Sequence, residues 1–251
     1  AYTDDDCIVT EGWLQALLHA FADTRVAGVY GRLLPHALTQ RTGTEVGLKD
    51  ALVGELYCAK TPPWHIGHGG NMAFRRQPLL AVGGFDPLLG AGCLLRSGED
   101  ADIAYRLLAK GHCLAYAPDA VSYHKHWKPW EAQKRMERAY GIGTGAQVAK
   151  HLRSGDLYGA RLMLVWLYEL GLRRVGAGLL KWRNRRVMYL GYCQLTYPWI
   201  GAWRARRFPI DSETRCYRAP VGDTRYDVFR ASGHGPEDQS GDPSYVAGNG
   251  R

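Results

Sequence analysis

Four short stretches carry residue types that act on anionic or hydroxyl-bearing ligands. Thr3-Asp4-Asp5-Asp6 sets three carboxylates in a row at what reads as the end of a strand. Carboxylates so placed repel one another unless a cation sits among them, and hard divalent cations prefer such oxygen ligands. The other use of the cluster is an acidic turn that caps a helix starting near Glu11. Gly98-Glu99-Asp100 opens a helix, where the helix dipole keeps a carboxylate ionised and fit to take a proton from a hydroxyl. Ser97 with Asp100 three residues on also satisfies a capping box. His124 and His126 sit at i, i+2 on an extended segment, so one can face a site while the other faces solvent. Gly69-Gly70-Asn71 lets backbone amides approach a ligand closely, or makes an ordinary tight turn.

The elements that must position these residues alternate between helix and strand. Trp13, Leu14, Leu17, Leu18 and Phe21 share one face at helical spacing over residues 11–22. Val26 to Gly31 reads as a buried strand, and residues 36–66 as a long loop or lid. A short strand and a helix follow the glycines and end at Gly83-Gly84. Residues 99–110 form a helix with Ile103, Leu107 and Leu108 inward and Gly111 at its end. The strand His112 to Ala117 comes next, and Pro118 is expected to stop it. The pattern predicts an α/β layer with a mixed sheet up to about Tyr123.

Beyond that point only helices are expected, over 129–152 and 156–186. They precede an apolar, aromatic-rich run of 17 residues from 187 to 203 that lies between arginines. The run is short for a span of about 20 residues. Its basic flanks and its Trp and Tyr residues fit a segment lying against anionic lipid, and a core helix packed on the first domain fits as well. Residues 219–251 lack Leu, Ile, Met and Trp and read as a disordered tail. Three regions result: a catalytic portion over 1–127, a basic helical region over 128–210, and a flexible tail over 211–251.

The formal charge of +8 is unevenly spread. Lys125 to Arg207 holds 17 Lys and Arg against 4 Asp and Glu, so the acidic balance lies elsewhere. That division suits acidic groups for metal and chemistry and a basic surface for an anionic partner. The six cysteines contain no C-x-x-C pair, so neither a zinc site nor a redox motif is suggested, and reduced thiols in the cytosol are expected.

In order, T-D-D-D, G-G-N-M-A-F-R, V-G-G-F-D, G-E-D-A-D-I-A-Y-R and a histidine after a strand resemble family 2 glycosyltransferases of the GT-A fold, from Tyr2 to about His126. The resemblance implies a partial GT-A mixed sheet flanked by helices, whose nucleotide-binding half precedes the D-x-D and is missing from this sequence. It implies Asp100 as catalytic base and Glu99 as a shaper of the acceptor site. Asp6, with Asp4 and His124, would hold Mg2+ or Mn2+, and His126 is the alternative to His124. Asp4, Asp5, Gly70, Asn71, Arg75 and Arg106 would line the donor and acceptor. The triple aspartate leaves the D-x-D register open. Arg138-Ala-Tyr-Gly-Ile-Gly resembles a pattern after the catalytic domain of some bacterial members.

The function so implied is inverting transfer from a nucleotide-sugar donor to a glycan or lipid-linked acceptor. It would serve cell-surface polysaccharide synthesis at the cytoplasmic face of the cell membrane. A basic nucleic-acid-binding module would explain the sequence pI of about 9.2 but leaves the acidic motifs without a use. A hydrolase pairing Asp6 with Asp100 would need no metal. A scaffold that keeps the fold without catalysis is the remaining alternative.

Overall fold

The computed structural model describes residues 1–36, 48–125, 128–180 and 184–219. Its sheet is built from β1 (Cys7–Val9), β2 (Val26–Pro35), β3 (Glu55–Tyr57), β4 (Met72–Phe74) and β5 (Cys113–His124). Strand β5 runs parallel to β2 along its length, and β4 is antiparallel to β2 on the far side. The other edge of β5 is shared: β3 pairs with its first half and β1 with its second, both antiparallel. The expected mixed sheet is therefore present.

Helix α1 (Trp13–Ala20) covers one face of the sheet, where Leu17 packs with Val26, Val29 and Ala115. Leu14 and Leu18, expected on the same buried face, are exposed. On the opposite face lie α2 (Pro63–Ile66), α3 (Arg76–Ala81) and α4 (Glu99–Ala109). Ile103, Leu107 and Leu108 of α4 enter that core with Tyr30, Ile66 and Leu114, as their spacing predicts.

Pro118 does not end β5. The register with β2 jumps from Gly31 opposite Ala117 to Arg32 opposite Val121, so residues 118–120 bulge out. A bulge removes the proline's missing N–H from the ladder and lets the strand continue to His124. Asn71, fully buried, plugs the bulge: its side-chain amide donates to the carbonyls of Arg32 (2.9 Å) and Ala120 (2.7 Å).

The expectation of reduced thiols fails for one pair, because Cys58 and Cys113 form a disulfide. The β3–β5 register sets Tyr57 opposite Leu114, which carries Cys58 to Cys113 although 55 residues separate them. No local spacing could announce such a pair.

The basic region is helical: α5 (Trp130–Arg153), α6 (Tyr158–Trp166), a π-helical turn (Leu167–Leu172), α7 (Arg173–Leu180) and α8 (Arg185–Ala205). Helices α5 and α8 approach closely through glycines, Gly145 against the Pro198 backbone and Gly201 against Ile142. No helix among the described residues is long and apolar enough to cross a membrane. The expected tail from residue 211 does not hold for its first residues, since Cys216 and Tyr217 are buried and Tyr217 joins the core around Leu88 and Phe208. The rest of that tail lies outside the described residues.

Candidate active site

Thr3 to Asp6 form a turn between two anchored points. Upstream, Tyr2 exchanges backbone hydrogen bonds with Met72 (2.7 and 3.2 Å). Downstream, the Cys7 N–H donates to the Asp4 carbonyl (3.1 Å), and β1 begins. The turn does not cap α1, whose N-cap is Gly12 with no side-chain bond. The β1–β5 register sets Cys7 opposite His124, so the end of one strand delivers the imidazole to the start of the other. Asp6 Oδ1 lies 3.1 Å from His124 Nε2, and ligand atoms of Asp4, Asp6, Cys7 and His124 all fall within 4.8 Å of one another. Asp5 lies outside this group and is exposed. The structure thus brings Asp4 and Asp6, not Asp5, together with His124. His126 lies outside the described residues.

Two carboxylates and an imidazole suit a divalent cation, and the Cys7 thiol adds a softer donor. Burial first, then Asp6, raises the Asp4 carboxyl above the usual carboxylate range, even though the residue as a whole is exposed. The crowding of negative charge is what a cation would relieve, so the residues fit one.

Across Gly69-Gly70 from this cluster stands Asp100. The Gly69 N–H donates to Asp100 Oδ2 (2.8 Å) and the Ala101 N–H to Oδ1 (2.7 Å). Two accepted bonds leave lone pairs on the carboxylate free to take a proton. Thr3 Oγ1 donates to the Gly70 carbonyl (3.0 Å), which ties the glycines to the acidic turn. A Cβ on Gly70 would stand 3.1 Å from both Asp4 Oδ2 and Cys7 Sγ, and one on Gly69 would stand 3.3 Å from Asp100 Oδ2. The pair is glycine because two acidic sites close on it from either side.

The helix carrying Asp100 starts at Gly98, with φ 94 and no side-chain cap. Ser97 bonds instead to the Ala139 carbonyl of α5 (2.9 Å), so the predicted capping box is not formed. Burial, and then the charge of Asp100, pushes Glu99 up to about 7. Beside it, burial and Glu99 push the Cys93 thiol up to about 11.

Three residues expected around the ligands have other work. Asn71 fills the β5 bulge and accepts from Trp13 Nε1 (2.8 Å). Arg75 donates to the carbonyls of Val26 (2.8 Å) and Phe21 (2.5 Å), joining α1 to β2. Arg106 is buried, pairs with Asp102 (2.7 Å) and donates to the carbonyls of Val82 and Gly84. All three are charged or polar residues inside a motif, and sequence alone does not separate a ligand contact from a scaffold bond. Cys7 was missed for the converse reason: only the strand register, which sets it opposite His124, gives it meaning.

Comparison with known families matches residues 1–204 to the family described as Glycosyl transferase family group 2. The chain belongs to that family. Among curated proteins it is similar to the pre-mycofactocin glycosyltransferases of Mycobacterium tuberculosis strains CDC 1551 / Oshkosh and ATCC 25618 / H37Rv, each 30% identical over 163 residues. The match covers 60% of this chain and 32% of each relative, so the chain spans about a third of the relatives' length. No solved structure matches. The acidic turn and the Glu-Asp helix start thus both meet the Gly-Gly segment, while the Asp-Arg pair is bonded to the V-G-G-F-D loop.

Proposed function

We propose that the protein is an inverting, metal-dependent glycosyltransferase that moves a sugar from a nucleotide-sugar donor to a hydroxyl of a glycan or lipid-linked acceptor. The observation that carries the reading is the placing of Asp100 across Gly69-Gly70 from the Asp4–Asp6–His124 cluster. Asp4, Asp6 and His124 would hold Mg2+ or Mn2+, which supplies positive charge to offset that on the leaving diphosphate. Asp100 takes the proton of the acceptor hydroxyl as it attacks the anomeric carbon, and Gly69 N–H keeps the carboxylate aimed. Direct displacement inverts that carbon and forms no covalent enzyme intermediate.

A second assignment of the base has its own support. Glu99, at about 7, is poised near neutral pH, where a proton acceptor works best. We place the reaction in cell-surface polysaccharide synthesis at the cytoplasmic face of the cell membrane, a reading supported by the basic, aromatic helical region.

The test is donor hydrolysis and sugar transfer by the full chain, with and without EDTA, for wild type, Asp100→Asn and Glu99→Gln. Metal-dependent activity lost in Asp100→Asn but retained in Glu99→Gln assigns the base to Asp100, and the reverse assigns it to Glu99. Activity that survives EDTA and both substitutions sinks the mechanism.

A further inference from the structure

Helix α6, the π-helical turn and α7 form one rod that packs against α8. Gly171 meets Leu195 and Gly191, Gly178 meets Met188, and Gly191 meets Val175. Since positions 171, 175 and 178 oppose 191–195 and 188 in reverse order, the rod and α8 run antiparallel. A second flank of α8 faces α5 through Gln194, Pro198 and Gly201. On the rod, Arg174 reaches toward α5 and pairs with Glu137 (3.2 Å).

Each helix keeps a third flank. On the rod it carries Leu164, Tyr168, Leu172 and Leu179, and on α8 it carries Tyr192, Trp199 and Trp203, every one more than half exposed. Positions 192, 199 and 203 repeat at i, i+7 and i+11, which keeps them on one stripe. In both helices the stripe lies across the seam from the α5-facing positions. Antiparallel helices of one hand then turn both stripes to the same side of the hairpin, away from α5.

Scattered exposed hydrophobics need no explanation, but a contiguous face of Trp, Tyr and Leu marks a contact surface. Its charge identifies the occupant. Between residues 157 and 207 there are ten Lys and Arg and a single acid, Glu169. Glu169 is occupied on the α2 side, where it accepts from Trp64 Nε1 (3.0 Å) and meets His65 Nε2 (2.8 Å). Exposed arginines stand at the ends of the stripes: Arg185 seven residues before Tyr192, Arg206 seven after Trp199, and Arg161 three before Leu164. A second copy would set like charge against like charge in a two-fold interface. A nucleic acid would use the arginines and leave the leucines idle.

We propose that this flank, built around Tyr168, Leu172, Tyr192, Trp199 and Trp203, docks the protein on an anionic phospholipid bilayer. The indole and phenol rings sit at the headgroup boundary, the leucines reach the acyl region, and Arg161, Arg185 and Arg206 meet lipid phosphates. Docking uses neither the Asp4–Asp6–His124 cluster nor Asp100, so it stands or falls separately from the proposed chemistry.

The experiment is vesicle flotation of the full chain with phosphatidylcholine alone and with phosphatidylcholine containing phosphatidylglycerol, at low and high salt. The proteins compared are wild type, Trp199→Ser/Trp203→Ser, Arg185→Gln/Arg206→Gln and, as a control, Asp100→Asn. Expected is salt-sensitive binding to the anionic vesicles, weakened about tenfold or more by either double substitution and unchanged in the control. Tryptophan quenching by brominated lipid in the wild type gives a reading that needs no variant, and quenching is expected. Absence of both flotation and quenching overturns the proposal. So does equal binding to both vesicle types, or a dimer in solution that the tryptophan substitutions dissociate.

Discussion

Glu99→Gln should stabilise the protein at alkaline pH, and the size of the gain follows from where the carboxyl sits. Burial, with help from Asp100 and Asp4, lifts Glu99 from 4.5 to about 7. The folded state then holds the proton more tightly than the unfolded chain. Its stability is unaffected below about pH 4.5, falls as pH rises toward 7, and stays reduced above it. At about 1.4 kcal/mol per pH unit the full cost is roughly 3 kcal/mol, and partial solvent access reduces it to about 2. Glutamine has the same shape without the charge, so the substitution removes that cost. Unfolding midpoints from pH 5 to 9 in EDTA should show wild type and variant close together at pH 5. The variant should lie about 4–8 °C higher at pH 8. EDTA matters because a cation beside Asp4 would favour the charged form. Parallel curves across the whole range, or a less stable variant at pH 8, would refute the reasoning. A carboxyl held at such a cost is more readily explained by its use in the site than by packing.

Three further outcomes test the cluster and the scaffold. His124→Ala should lose most of the Mn2+-induced rise in the unfolding midpoint, worth about 2–3 kcal/mol for wild type at a hundredfold excess over Kd, and an unchanged rise would remove His124 from the ligand set. Lys150 is fully buried between Asp86 (2.5 Å) and Asp102 (2.6 Å). Lys150→Met should therefore cost about 3–5 kcal/mol in denaturant unfolding, because buried Asp86 loses its cation and Asp102 keeps only Arg106, and a loss under 1 kcal/mol would contradict this. Cys58→Ser should cost about 2–4 kcal/mol under oxidising conditions, and reductant should lower the wild-type midpoint but leave the variant's unchanged.

The sequence was most legible where local physics decides. Alternating elements gave the mixed sheet, and the spacing of Ile103, Leu107 and Leu108 gave the buried face of α4. Long-range pairing was not legible. The Cys58–Cys113 bond and the contribution of Cys7 both depend on which residues face each other across β5. Pro118 misled because a proline stops a regular strand, whereas here a bulge held by Asn71 carries the chain past it. Leu14 and Leu18 show the other limit: periodicity says which residues share a face, not whether anything covers it.

The G-E-D-A-D-I-A-Y-R stretch shows why a motif read as one site can be two. Glu99 and Asp100 lie at the open end of α4, toward Gly69 and the acidic turn. Within the next turn the helix rotates, and Asp102 points into the interior. There Arg106 and Lys150 outweigh the cost of burial and hold the Asp102 carboxyl down at about 2. Arg106 carries the link on to the Val82 and Gly84 carbonyls. Lys150 carries it to Asp86, which also accepts from the backbone of Leu88 (3.0 Å) and Tyr217 (2.8 Å). One ion network thus joins α4, the V-G-G-F-D loop, α5 and the segment around Tyr217. The second half of the motif fixes the angle at which the first half enters the site. Substitutions at Asp102 or Arg106 should therefore lower stability and activity together, whereas Asp100→Asn should lower activity alone, and a thermal melt beside each assay separates the two.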